Sequence, residues 1–78
     1  MIIEFRFNSK SSAQNIPEAI TIAERCEGYI DNKFYKIKFE SPEDKHLKKL
    51  FELVGHLKGT RISIDGKDPV IAHNFYSL

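Results

Sequence analysis

The longest amphipathic stretch of the chain, residues 41–59, predicts a helix with a wide apolar face. Its apolar residues recur every three or four positions, with Leu53 on the flank: Leu47, Leu50, Phe51, Val54 and Leu57. Ser41 is the expected N-cap, Pro42 fits the first turn, and Gly59 is the expected left-handed residue after the end. A stripe that spans about 160° of the helix surface favours packing against a sheet.

Alternating apolar and polar residues predict the strands of that sheet. The expected inward-facing residues are Ile3, Phe5 and Phe7 in the first strand, Tyr35, Ile37 and Phe39 in a strand at residues 33–39, and Ile62 and Ile64 in a strand at residues 60–65. Asp31-Asn32 predicts a hairpin turn within the β-rich segment 29–40, and Asp65-Gly66 predicts another turn. Residues 70–72 are expected to add a short edge strand.

A first helix is predicted at residues 16–27, with a narrower apolar stripe than the second. The residues of this stripe are Ile16, Ala19, Ile20, Ala23 and Cys26. Asn15 is the expected N-cap, Glu18 holds the capping-box position, and Gly28 is expected to end the helix.

The order strand, helix, strand, strand, helix, strand predicts an α+β fold of the ferredoxin-like, split βαβ type. Both helices are then expected on one face of an antiparallel sheet, because crossover connections are right-handed. The 78 residues are expected to form one domain, with the core fold in residues 1–66 and an extra edge strand or tail in residues 67–78. The pattern predicts no course for residues 73–78.

Charge and cysteine content narrow the classes of function. The chain has 12 basic and 11 acidic residues and a formal charge of +1, which gives no general attraction to nucleic acid or to an anionic membrane. Cys26 is the single cysteine, so one chain holds neither an internal disulfide nor a cysteine metal cluster. No apolar run approaches a membrane span, and no signal-peptide pattern is present, so a cytoplasmic location is expected.

The residues that could form a metal, cofactor or catalytic site are not grouped in the sequence. His46 and His56 are separated by about 15 Å along the predicted helix, so they cannot share a metal ion with each other. This chain lacks the motifs of three families with the same topology. Copper chaperones carry paired cysteines after the first strand, and acylphosphatases carry a glycine- and arginine-containing loop there, whereas residues 8–12 here hold none of these residues. Iron–sulfur ferredoxins need several cysteines, and this chain has one. We therefore expect a protein that binds rather than catalyses, with no cofactor and no metal.

The sheet face away from the helices is the expected binding site. Its predicted outward-facing residues are Ile2, Glu4, Arg6, Phe34, Lys36, Lys38, Arg61, Ser63 and Asp65. Of these, we take five as candidate site residues: Arg6, Phe34, Lys36, Lys38 and Arg61. Because Ile2 and Phe34 would otherwise be exposed, we expect association with another protein or a second copy, through this face or through an edge strand.

Two alternatives use the same surface. Cations around an aromatic ring suit single-stranded RNA, and in this respect the face partly resembles the RNA recognition motif. That family carries several aromatics on its two central strands, whereas here Lys36 stands where a second ring would be, and Glu4 and Asp65 would repel phosphates. The second alternative is a small-molecule regulatory domain in which two copies share a ligand. RNA binding would weaken steeply with added salt and apolar pairing much less.

Overall fold

The computed structural model describes residues 1–71 and has two helices and an antiparallel sheet, an α+β architecture. In chain order the elements are β1 (Ile3–Asn8), α1 (Ile16–Arg25), β2 (Tyr29–Asp31), β3 (Phe34–Phe39), α2 (Lys45–Val54), β4 (Arg61–Ile64) and β5 (Val70–Ile71). The sheet order is β2-β3-β1-β4-β5, so β1 is central and β2 is an edge. Ala72 of the predicted edge strand and residues 73–78 lie outside the described residues.

The core lies between one face of the sheet and both helices. Inward residues of β1, β3 and β4 form a single buried cluster with residues of α1 and α2. Phe5 and Val54 are fully buried, and Ile37 and Ile62 are 1% exposed, as the sequence pattern predicts. Since both helices pack on the same cluster, they cover the same sheet face. We call the sheet face on the other side, which neither helix covers, the open face.

Phe51 does not belong to the fully buried set, although its spacing predicts that it should. It is half-buried and packs at the margin of the core, with its ring centroid 6.1 Å from that of Phe5. In α1 the buried isoleucine after Ala19 is Ile22, whereas Ile20 is half-buried. In each helix the buried face is rotated by one or two residues from the predicted face. The spacing of the apolar residues alone does not determine this rotation.

The start of α2 differs from the prediction, because Asp44 rather than Ser41 is its N-cap. Asp44 has an extended backbone, and its Oδ1 accepts a hydrogen bond from the N–H of His46 at 2.8 Å. The Ser41 hydroxyl accepts from the N–H of Glu43 at 3.1 Å, and its carbonyl accepts from the N–H of Asp44 at 3.2 Å. Residues 41–44 therefore form a separate turn, and the second good capping residue starts the helix.

The end of α2 also comes earlier than predicted. The helix ends at Val54, whose carbonyl accepts a hydrogen bond from the buried hydroxyl of Thr60 at 2.9 Å. Gly59 has a φ of 93°, so it is left-handed as expected, but it serves the connection to β4 rather than the helix end.

The end of α1 reverses the expected roles of two neighbouring residues. Glu27 is the left-handed residue, with a φ of 59°, and the N–H of Gly28 then bonds the carbonyl of Ala23 at 2.7 Å. A Cβ atom at Gly28 would lie 2.7 Å from Cγ1 of Ile37. Glycine is therefore required at position 28 for close approach to β3, not for its backbone angles.

Candidate binding surface

The open face brings three of the five candidate residues into one row across the sheet. Arg6 of β1 lies opposite Lys36 of β3 on one side and opposite Arg61 of β4 on the other. We call Lys36, Arg6 and Arg61 the cationic row. Tyr29 of β2 lies opposite Lys36, so an aromatic residue stands at one end of the cationic row. The outward alternation predicted for these strands accounts for this juxtaposition.

The other two candidates have different surroundings. The guanidinium carbon of Arg6 lies 4.1 Å from the centroid of the Phe34 ring, a cation–π contact. Phe34 is half-buried, and the role of apolar anchor that the sequence suggested for it stays a prediction. Lys38 lies opposite Glu4, one row away from Arg6, and is exposed.

Neighbouring groups already engage much of the charge in the cationic row. Nζ of Lys36 donates to Oδ2 of Asp31 at 2.7 Å, and this hydrogen bond raises the pKa of Lys36 and lowers the pKa of Asp31. Nη1 of Arg61 donates to the carbonyl of Thr60 at 3.1 Å. Nε of Arg6 is buried with no hydrogen-bond partner among the described residues. Arg6 therefore brings to the row a buried donor, Nε, that no described residue satisfies.

A shallow groove of about 170 Å³ runs over the cationic row. Its lining residues include Glu4, Arg6, Lys36, Arg61, Ser63 and Pro69. Pockets for drug-sized ligands usually have volumes of about 300–1,000 Å³. The groove has room for a single anionic group, such as a carboxylate or a phosphate, but not for enclosing a larger molecule.

The edge strand β2 carries the apolar exposure that Phe34 lacks. Tyr29 is 49% exposed and Ile30 is 53% exposed, and these consecutive residues point to opposite faces of the sheet. The other large apolar residues with such exposure in residues 1–70 are Met1, Ile2 and Val70, so none of them lies in a helix. Two adjacent exposed apolar residues thus lie at the β2 edge, and a second such pair, Met1 and Ile2, precedes β1.

The register of β2 explains why the sequence pattern did not predict that Tyr29 and Asp31 lie beside Lys36. Asp31 pairs with Phe34, so the turn residues are Asn32 and Lys33, one position later than predicted. Asn32 has a φ of 62°, a conformation that asparagine tolerates. With the turn placed correctly, counting back from Phe34 would have put Tyr29 opposite Lys36 on the open face.

The residues considered for chemistry are dispersed in the described part of the chain. No three histidine, cysteine, aspartate or glutamate side chains of residues 1–71 are grouped as metal ligands would be, and His73 lies outside these residues. Cys26 is half-buried, and burial, together with the carboxylate of Asp44, raises the pKa of its thiol. A raised pKa lowers the fraction of reactive thiolate at neutral pH.

Comparisons with protein-family models, with curated proteins and with solved structures gave no significant match for this chain. Its function must therefore be argued from the open face and the β2 edge themselves. Neither helix within residues 1–71 is long and apolar enough to cross a membrane.

Proposed function

We propose that this chain is a small, non-enzymatic protein-association module that binds another polypeptide through the edge of its sheet at β2. The observation that carries the proposal is the pair Tyr29 and Ile30, each about half exposed on an edge strand. An edge strand offers unpaired backbone N–H and C=O groups to an added strand. Side chains on both faces of the same strand then supply apolar contact, so backbone pairing and apolar burial would occur together.

We also propose that the fold is the ferredoxin-like, split βαβ arrangement with β5 added at one edge. The sheet order supports this, because β3 lies between β1 and β2, and β1 lies between β3 and β4. Each helix thus connects two strands that flank a third, as a split βαβ unit requires. In such an arrangement β2 stays at an edge and one sheet face stays uncovered, so both candidate surfaces follow from the same topology.

The open face is a poorer apolar docking surface than the edge. The guanidinium of Arg6 covers the Phe34 ring at 4.1 Å, so a partner would have to displace a cation to reach the ring. Side chains of the cationic row and Lys38 carry four positive charges across the same face. Burial of those charges would be costly without matching carboxylates or phosphates. These features favour the β2 edge over the centre of the face.

A photo-crosslinking amino acid tests the proposal in the cells that express the protein. At position 30 it should yield a discrete covalent protein adduct, whereas at the exposed position Glu52 on α2 it should yield none above background. Equal labelling from both positions, or none from either, contradicts association through β2. An adduct that disappears on ribonuclease treatment favours the second candidate instead.

The second candidate is weak binding of single-stranded RNA on the open face. The observation that favours it is Tyr29 at the end of the cationic row, which adds an exposed ring beside three cations. Rings stack on bases and cations contact phosphates. The test is fluorescence anisotropy with a labelled oligouridine at several salt concentrations. Affinity that falls steeply with salt, and that Arg61→Glu removes, supports RNA binding, and absence of saturable binding at low salt refutes it.

A further inference from the structure

We infer that the polypeptide bound at the β2 edge is a second copy of this chain, paired antiparallel with the two Ile30 residues directly opposite each other. This inference rests on the proposed function, since it specifies the partner for the same edge. It predicts a symmetric dimer in which one edge patch binds itself, the commonest form of homo-oligomer.

The hairpin between β2 and β3 determines which backbone groups of β2 face outward. Asp31 and Phe34 flank a two-residue turn, so they form a hydrogen-bonded pair across it. Hydrogen-bonded and non-bonded pairs alternate along an antiparallel ladder. The N–H and C=O of Ile30 therefore point away from β3. When two copies meet antiparallel, each Ile30 can donate one hydrogen bond to the other and accept one in return.

The length of β2 and the charges near its ends favour this register. Centred on Ile30, antiparallel pairing matches all three residues of β2 with all three of the second copy. A shift in either direction leaves part of β2 outside the pairing, and one of the two shifts brings Asp31 opposite Asp31, which like-charge repulsion disfavours. Glu27 precedes β2 in a left-handed conformation, and Lys33 lies in the turn after β2 with its carbonyl bonded to the N–H of Ser9. Both residues lie outside the strand, and antiparallel pairing brings the Glu27 end of each copy to the Lys33 end of the other.

The sequence of β2 does not guard the edge against pairing. Natural edge strands are commonly protected by lysine, proline, a bulge or an inward-pointing charge. β2 consists of Tyr29, Ile30 and Asp31, and its one charge is held by Nζ of Lys36 at 2.7 Å. Apart from the charge of Asp31 at its end, its protective feature is its length of three residues. Short length limits the strength of pairing rather than preventing it.

The expected dimer is weak because the edge is short. Three paired residues bury less than the roughly 1,200 Å² typical of stable complexes, so a dissociation constant of about 10–100 µM is expected. Sedimentation equilibrium over about 5–500 µM covers that range. The wild-type chain should pass from monomer to dimer, and the dissociation constant should not change steeply with salt.

A matched pair of variants locates the interface. Ile30→Lys introduces a charge at the twofold axis and should raise the dissociation constant at least about tenfold. Ile2→Lys is the control, because Ile2 is 47% exposed, close to the 53% of Ile30, but lies next to the central strand and away from β2. It should leave the dissociation constant within about twofold of the wild type. The opposite ranking overturns pairing through β2.

An exchange of charges tests the antiparallel arrangement. Glu27→Lys alone and Lys33→Glu alone should each weaken the dimer severalfold, because each brings like charges together at both ends of the paired strands. The double variant Glu27→Lys/Lys33→Glu should restore wild-type affinity. If the double variant is weaker than either single variant, the antiparallel arrangement is wrong.

A disulfide across the axis separates this inference from the proposed function. In a Cys26→Ser background, Ile30→Cys should form a disulfide-linked dimer in a glutathione buffer, because directly opposite residues have Cα atoms about 5.5 Å apart. Ile2→Cys in the same background should stay monomeric. A wild-type chain that remains monomeric at about 500 µM and an Ile30→Cys variant that does not cross-link together overturn self-pairing. The proposed function would then still hold if the crosslinker at position 30 captures a different protein, and would fail with it if nothing is captured.

Discussion

Arg6 stacks its guanidinium on the ring of Phe34, with 4.1 Å between the guanidinium carbon and the ring centroid, and so joins the central strand to β3 across the open face. A double-mutant cycle with Arg6→Met and Phe34→Leu should give a coupling of about 0.5–1 kcal/mol in the free energy of unfolding. Urea denaturation at low protein concentration measures it. Additive effects of the two substitutions would show that the contact contributes nothing to stability.

The N-cap of α2 gives a second prediction. Asp44→Ala should lower the free energy of unfolding by about 1 kcal/mol, because it removes the acceptor for the N–H of His46. Ser41→Ala is the matched control and should cost less, since its hydroxyl bonds only within the preceding turn. The two variants are compared by denaturant melting. A larger loss from Ser41→Ala would restore Ser41 as the functional cap.

The core gives a third prediction, on two phenylalanines in contact. Phe5→Ala should destabilise the fold by about 3–5 kcal/mol, because Phe5 is fully buried at the centre of the sheet. Phe51→Ala should cost roughly half as much, since Phe51 is half-buried and leaves a smaller enclosed cavity. Chemical denaturation of both variants checks the ranking. Equal losses would mean that Phe51 is as deeply buried as its helical spacing suggests.

The ion pair of Asp31 and Lys36 gives a prediction on pH. The pKa of Asp31 should lie below its ordinary value of 3.8, and Lys36→Met should return it towards that value. A lowered pKa in the folded state means that the pair stabilises the fold above the pKa of unfolded Asp31 and loses this effect as the pH falls through the folded pKa. NMR titration of the carboxyl carbon measures it. An Asp31 pKa that does not change in the Lys36→Met variant would show that the pair does not form in solution.

Much of the architecture could be predicted because alternation along a strand has only two outcomes. The residues Phe5, Ile37 and Ile62 had to face either the helices or solvent, and a slip by one position would bury Arg6 and Lys36. Helix ends were harder to predict, since Ser41 and Asp44 are both good caps and the sequence does not say which one the turn before the helix will use. The surrounding structure decides which of two neighbouring cap residues starts the helix.

The candidate site was predicted in part for the same reason. Outward alternation and a central first strand were enough to bring Arg6 between Lys36 and Arg61. The role of Tyr29 depended on a turn position that was predicted one residue too early. The cover over Phe34 depends on the side-chain conformation of Arg6, and strand alternation carries no information on it.

Self-association through the β2 edge is the central claim, and amide hydrogen exchange at Ile30 tests it most directly. The Ile30 N–H points away from β3 and should be unprotected in the monomer, whereas it donates a hydrogen bond in the dimer. Its exchange rate should fall about fourfold between about 10 µM and about 500 µM protein for a dissociation constant near 50 µM, while the Asp31 N–H, already bonded within the hairpin, should change no more than the fold as a whole. An Ile30 exchange rate that is independent of protein concentration, in the absence of any other bound polypeptide, would contradict self-association at this edge.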